Sequence, residues 1–178
     1  MNVVCLGLNH QTAPVEIREL FAVPENRLGE ESGRLCEVEG VEESVVLSTC
    51  NRTEYYAAAP DCGFASDQLR SFLQSQAGTP LRIEHLYEKQ QLEAARHLCR
   101  VVSGIDSMVL GETEIFGQAK KAYQAALESG STSRMLNQLF QKAFGIGKKV
   151  RTNTGIQEGQ TSVGSVAVDL AEKIFGHL

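Results

Sequence analysis

The chain is 178 residues long, with 42% hydrophobic and 22% charged residues, which suits one globular unit with a real core. A formal net charge of −5 gives no overall pull toward nucleic acid, so any RNA contact would need a local basic patch. Asn9, His10, Gln11, Glu16, Arg18 and Glu19 interrupt the start, excluding a signal-peptide apolar core, and no run approaches the roughly 18 apolar residues of a membrane span. A cytoplasmic chain is expected.

In chain order, VVCLGLN from Val3 predicts a buried strand. PVEIREL follows as a helical stretch, with Pro14 suited to a helix's first turn. A second helical pattern runs from about Pro24 to Cys36 and leads into Gly40. SVVLST and EYYAAA read as strands joined by a short polar turn. ASDQLRSFLQSQAG has helical spacing and ends on Gly78, a natural C-cap, and IEHLYEKQ reads as a fourth strand. Strand–helix–strand–strand–helix–strand is the split arrangement of a ferredoxin-like sheet. The expected class is therefore α+β, a ferredoxin-like split βαβ sheet with appended C-terminal helices.

Beyond Gln91 the pattern turns helical. Leu92, Ala95, Cys99 and Val102 form one apolar stripe, and Ile115, Ala119, Ala122 and Ala126 form another, closing at Gly130. Leu136, Leu139, Phe140, Ala143 and Val150 form a third, with Ser131 or Ser133 as N-cap. A polar segment from Thr152 to Ser162 breaks the pattern before Val163, Val166, Leu170 and Ile174 begin a last helix. The abrupt stop after that helix reads as a piece of a longer protein.

LSTCNRTEYY, from Leu47 to Tyr56, places a thiol where an apolar run gives way to polar residues. A free thiol titrates near ~8.5, so only a few per cent is thiolate at neutral pH; a downward shift of two units would correspond to ~2.7 kcal/mol. Arg52, two residues from Cys50, could supply that shift or bind an anionic substrate group. The plainer alternative is a buried strand-end cysteine beside a solvated arginine. The five cysteines form an odd, scattered set without a Cys-x-x-Cys pair, so free thiols are expected, and Cys5, Cys36, Cys62 and Cys99 read as structural.

At about 100° per residue, His97 falls about 140° around its helix from Leu92, away from the apolar stripe, so it faces either water or a site. His10, just after a strand, reads as a turn cap, and His85 and His177 carry no signal. SGIDSMVLGETEIFGQAKK packs Ser103, Gly104, Asp106, Ser107, Gly111, Glu112 and Thr113 around a short apolar run, with Glu114 and Gln118 then sharing a helix face. That is richer than a plain helix connection, though a capped turn and a solvated face would also account for it. GIGKKV, from Gly145, lacks the third glycine of a dinucleotide fingerprint and sits in a helical pattern. His97 and Cys99 point to different helix faces, so no metal site is expected. Lys148, Lys149 and Arg151, with Lys142 and Lys120-Lys121, form the candidate phosphate-binding patch, or else a solvated helix face.

GLNHQTAPVEIRE, LSTCNRTEYY, ARHLCRVVSGIDSMVLGETEIFGQAKKAY, GKKVRTNTGI and SVGSVAVDLAEKIFG together resemble the amino-terminal region of the glutamyl-tRNA reductase family, in that family's order and over nearly the whole chain. The resemblance implies that Cys50 attacks the ester of glutamyl-tRNA to form a thioester, which NADPH reduces to glutamate-1-semialdehyde for tetrapyrrole synthesis. It implies that His97 lies near the reacting centre. It places Thr49, Cys50, Asn51 and Arg52 in glutamate recognition, with Ser107, Glu112, Thr113, Glu114 and Gln118 as further pocket positions. Arg52 would pair bidentately with the substrate carboxylate. Glu114 departs from the family's usual glutamine, which exchanges two N–H donors for a negative charge.

The family also implies a dinucleotide-binding domain and a helical dimerisation domain beyond this region. Residues 1–157 would form the catalytic unit, and 158–178 would start a linker helix toward an NADPH-binding domain missing from this chain. Implied partners are glutamyl-tRNA, a second copy through the absent C-terminal domain, and the downstream aminomutase; no membrane and no metal are implied. The alternative is a non-catalytic module that binds tRNA or a protein.

Overall fold

The computed structural model describes residues 2–78, 81–158 and 162–176, so His177 falls outside the described residues. Four strands, β1 (Asn2–Asn9), β2 (Glu43–Ser48), β3 (Arg52–Ala59) and β4 (Tyr87–Gln90), form an antiparallel sheet in the order β2-β3-β1-β4. Helices α1 (Val15–Leu20) and α2 (Leu28–Cys36) lie between β1 and β2, and α3 (Cys62–Ala77) lies between β3 and β4. That is the expected ferredoxin-like order. Then come α4 (Gln91–Val102), α5 (Glu114–Glu128), α6 (Arg134–Asn153) and α7 (Val163–Phe175).

Strand parity decides what each face meets. Tyr55 pairs with Leu6 and Val46, and that face packs under Phe21, α2 and Leu73 of α3. Tyr56 pairs with Cys5 and Val45 on the opposite face, where it meets Phe140 of α6 edge-on at 5.4 Å. The appended helices thus supply a third layer, and every residue of β3 is buried. A two-sided core requires any polar side chain in β3 to find a partner inside.

Three differences from the sequence reading follow from this layering. The fourth strand is short: Ile83–His85 is a 3₁₀ turn and only Tyr87–Gln90 pairs with β1. On α4 the buried arc runs through Ala94, His97, Leu98 and Val101, while Leu92 is 62% exposed. Alpha-helix α4 is held between the sheet and α6, so its inward arc is turned away from Leu92 and brings His97 in at its margin. Helix α6 begins at Ser133 as N-cap, but the Ser133 hydroxyl makes no capping bond. Instead the buried Glu43 carboxylate of β2 accepts the main-chain N–H groups of Ser133, Met135 and Leu136 at 2.8–3.0 Å.

Candidate functional site

Cys50 occupies the tip of the β2–β3 hairpin and is the only exposed cysteine of the five. Thr49 builds that tip. Its N–H donates to the Arg52 carbonyl at 2.8 Å, and its hydroxyl accepts the N–H groups of Asn51 and Arg52, each at 3.2 Å. From outside the hairpin, the His10 N–H donates to the Asn51 carbonyl at 2.9 Å, and Arg18 Nη1 donates to the Cys50 carbonyl. Two successive carbonyls of the tip are therefore fixed while Cys50 itself stays exposed. Burial pushes the thiols of Cys5, Cys36, Cys62 and Cys99 up.

Beneath the hairpin lies a buried polar network centred on Glu54. Its carboxylate accepts from Arg52 Nη1 at 2.7 Å, the Tyr56 and Tyr87 hydroxyls at 2.6 Å each, and His97 Nε2 at 2.8 Å. Burial alone would push this carboxyl up, yet Arg52, then His97 and Tyr56, hold it well below the usual carboxylate range. An ionised Glu54 can only accept, so His97 Nε2 carries the hydrogen and Nδ1 is the nitrogen left for exchange. Tyr87 reaches Glu54 by crossing β1 over Gly7, where a Cβ would lie 2.9 Å from the Tyr87 ring.

Arg52 is 2% exposed, and its guanidinium is used within the chain. Besides Glu54, it donates through both terminal nitrogens to Asp106 Oδ2 at 3.3 Å, and to the Asp106 carbonyl. The expected bidentate pairing of Arg52 with a substrate carboxylate thus meets two carboxylates already in place. The cause is parity: Arg52, Glu54 and Tyr56 alternate onto one inward face of β3. Asp106 also lines a cavity of about 240 Å³ shared with Asn9, Gln11, Tyr87, Lys89 and His97; Cys50 is not part of that lining.

The 103–113 loop closes onto the hairpin through Asp106. Gly104 and Gly111 have φ of 77° and 79°, and the Gly111 N–H donates to the Gly104 carbonyl at 2.9 Å. A Cβ on Gly111 would collide with the Ile156 carbonyl oxygen. Arg151 stacks on Phe116 at 4.9 Å and donates to the Glu112 and Thr113 carbonyls at 2.9 and 3.3 Å. It braces this loop and is withdrawn from the basic cluster that the sequence suggested, while Lys142, Lys148 and Lys149 stay exposed and Lys121 pairs with Glu25. Ser107 is half-buried, with its hydroxyl oxygen buried and unpartnered among the described residues. Glu112 and Gln118 are half-buried, Thr113 and Glu114 are exposed, and none of these four side chains bonds within the described residues.

The match to known proteins is extensive. A family model described as glutamyl-tRNA(Glu) reductase, N-terminal domain, matches residues 6–154. The chain belongs to this family. A glutamyl-tRNA reductase of Akkermansia muciniphila is 57% identical over the whole chain, which spans 53% of that protein. Glutamyl-tRNA reductase 2 of Koribacter versatilis is 46% identical, with 41% of its length spanned. The solved glutamyl-tRNA reductase from Methanopyrus kandleri superposes with a TM-score of 0.76 at 37% identity, covering 99% of this chain and 41% of that one. The chain therefore spans about half, or less, of the length of these relatives.

Within this reductase domain, the structure gathers Thr49, Cys50, Asn51 and Arg52 in one hairpin and ties Ser107's neighbour Asp106 to it. His97 joins the same network from α4, through Glu54. Sequence reasoning passed over Glu54, Tyr56 and Tyr87, although Arg52 and Glu54 at i, i+2 in an apolar strand signal a same-face pair. It read His10 as a turn cap, whereas Asn9 performs that task by accepting the Gln11 and Thr12 N–H groups. Donor atoms of Cys5, Glu54 and His97 lie within 4.8 Å of one another. This trio does not suit a metal ion, because burial opposes a Cys5 thiolate and the Glu54 oxygens already accept four donors. The GIGKKV stretch lies inside α6, so it offers no strand–turn–helix cradle for a dinucleotide. No helix among the described residues is long and apolar enough to cross a membrane.

Proposed function

We propose that this chain performs the acyl-transfer half of glutamyl-tRNA reduction. The Cys50 thiolate attacks the carbonyl carbon of the ester between glutamate and the terminal ribose of tRNA. A sulfur–carbon bond forms, the carbon–oxygen bond breaks, and the ribose oxygen leaves with a proton. His97 is assigned to that proton: Glu54 fixes its tautomer and would serve as counter-ion to a doubly protonated ring. Thr49 and Asn51 shape the hairpin, Arg52 anchors it on Glu54 and Asp106, and Ser107, Glu112, Thr113, Glu114 and Gln118 border the substrate. The observation that carries the reading is the exposed Cys50 thiol on a hairpin rooted in a buried acid–imidazole network.

The thioester is a better electrophile than the ester it replaces, which suits later reduction to glutamate-1-semialdehyde in tetrapyrrole synthesis. The described residues do not fit the NADPH that the family implies, so no hydride step is assigned to them. On the resemblance alone we carry forward residues 1–157 as the catalytic unit, 158–178 as the start of a linker helix, a homodimer formed through a further domain, the aminomutase as a partner, and a cytoplasmic setting. The test is intact-mass analysis after mixing the chain with glutamyl-tRNA. A glutamyl adduct that maps to Cys50 and vanishes in Cys50→Ser supports acyl transfer. Tight tRNA binding without adduct or discharge would instead favour a binding module.

A further inference from the structure

Helix α6 differs in charge from the other α-helices. Arg134, Lys142, Lys148, Lys149 and Arg151 lie on it with no Asp or Glu, whereas each of the other α-helices carries at least one acid. In a chain with a formal net charge of −5, cations are thus gathered onto one element. Arg151 is spent on the Glu112 and Thr113 carbonyls. Arg134, Lys142, Lys148 and Lys149 are exposed and form no ion pair among the described residues. At about 100° per residue, Arg134, Gln138, Lys142, Gly145 and Lys149 share an arc of about 80°, with Lys148 about 40° outside it. From Arg134 to Lys149 the row is about 22 Å long.

The middle of that arc is bare. A Cβ on Gly145 would meet nothing within 4 Å, and its φ is not positive, so neither packing nor backbone conformation calls for glycine there. Gly147 is different, since a Cβ would press on Val102 and Phe116 at 3.1 and 3.2 Å. An exposed glycine weakens a helix relative to alanine, and what it offers in return is close approach by another backbone. No side chain within the arc is apolar, which disfavours a lipid surface. A bare strip edged by unpaired cations and the Gln138 amide suits a linear chain of phosphates.

The row also has a direction. Its start is fixed at Glu43, the first residue of β2, through the Ser133 N–H, while Cys50 lies beyond the last residue of that strand. At the other end Arg151 holds the 103–113 loop, which Asp106 ties to Arg52 at the base of the Cys50 hairpin. The cations therefore run lengthwise along the domain toward the thiol.

We propose that the outer face of α6, with Arg134, Lys142, Lys148 and Lys149 around the bare Gly145, is a docking surface for the phosphate backbone of an RNA, leading its acylated end toward Cys50. This deepens the acyl-transfer reading and rests on it for the identity of the RNA as a tRNA.

The test uses deacylated tRNA as probe, so binding is read without any acyl transfer. Affinity is measured by fluorescence anisotropy across a salt series for the unmodified chain and for a triple variant, Lys142→Gln, Lys148→Gln and Lys149→Gln. A control variant removes three exposed cations elsewhere, by Arg27→Gln, Arg82→Gln and Lys173→Gln. Loss of about three phosphate contacts should reduce the log–log salt slope by about 2–3 and weaken binding at 0.1 M salt by at least tenfold, on the order of one contact's share or more, while the control changes the slope by less than about one. Gly145→Gln should raise the urea midpoint and yet weaken tRNA binding severalfold, a combination that misfolding does not produce. A triple variant that behaves like the control overturns the surface, as does an unmodified chain whose tRNA binding is absent or independent of salt. Equal displacement of tRNA by polyglutamate, or equal retention of the chain on phosphatidylserine vesicles, overturns the assignment to RNA. If glutamyl-tRNA leaves no adduct on Cys50 while the slopes still differ, the acyl-transfer reading fails and the docking surface stands.

Discussion

Glu54→Gln is the most informative single substitution, because one buried carboxylate holds four donors. The exchange preserves shape but leaves the Arg52 charge, 2% exposed, with Asp106 as its one counter-ion among the described residues. It also turns an amide N–H₂ toward groups that are themselves donors: two tyrosine hydroxyls, an imidazole N–H and a guanidinium. Breaking a buried pair from one side costs about 3–5 kcal/mol. Some relaxation of the tyrosine hydroxyls puts the expected loss near 3 kcal/mol, a large share of a total of roughly 5–15 kcal/mol. The pH dependence identifies the cause. Glu54 titrates lower in the folded chain than its unfolded value of about 4.3, so its stabilisation is fully present above that value. It is lost as pH falls from there toward the folded pKa, by up to ~1.4 kcal/mol per unit. Urea unfolding at pH 7, 5, 4 and 3 should therefore show a gap between parent and variant that is widest at neutral pH and narrows below about pH 4. A gap under ~1 kcal/mol at pH 7, or one that stays constant down to pH 3, would refute the ionised hub.

Three further outcomes follow from the same geometry. Under limiting iodoacetamide, peptide mapping should find Cys50 modified well before Cys5, Cys36, Cys62 and Cys99, whose burial both hides the sulfur and raises its pKa; equal rates would contradict the hairpin placement. Glu43→Ala should lower stability by about 2–3 kcal/mol in urea, because three N–H groups at the start of α6 lose their acceptor, with Glu43→Gln losing less. Gly7→Ala should cost about 1–3 kcal/mol by overpacking against Tyr87 and should shift a tyrosine absorbance signal; a neutral effect would mean that Tyr87 does not cross β1 at this point.

The continuous apolar runs of VVCLGLN and SVVLST, with Gly78 as a stop, were enough to read the order of elements that the ferredoxin-like sheet requires, because those signals are local. What sequence could not supply was the third layer. The Leu92 stripe assumes that α4 rests on a single apolar surface, whereas packing between the sheet and α6 selects the Ala94–Leu98–Val101 arc and carries His97 inward. Cys50 was legible because a hairpin tip is defined by its own flanking strands. The partners of His97 were not, since Glu54 and Tyr87 are 43 and 10 residues away along the chain and meet it only after β1 inserts between β3 and β4.

The fate of Arg52 shows how little a charge beside a thiol in sequence says about its use. In LSTCNRTEYY the guanidinium and the thiol are two residues apart, and either could have faced the substrate. The turn separates them: Cys50 lies outside both strands, while Arg52 is the first residue of β3, pairs with Asn9 of β1 and takes the inward parity of Glu54. Once inside, a cation must keep its counter-ions, because the desolvation cost in a covered sheet is not recovered from solvent. Those contacts fix the base of the hairpin against Glu54 and the 103–113 loop. An exposed thiol can be presented reproducibly only from a base of this kind.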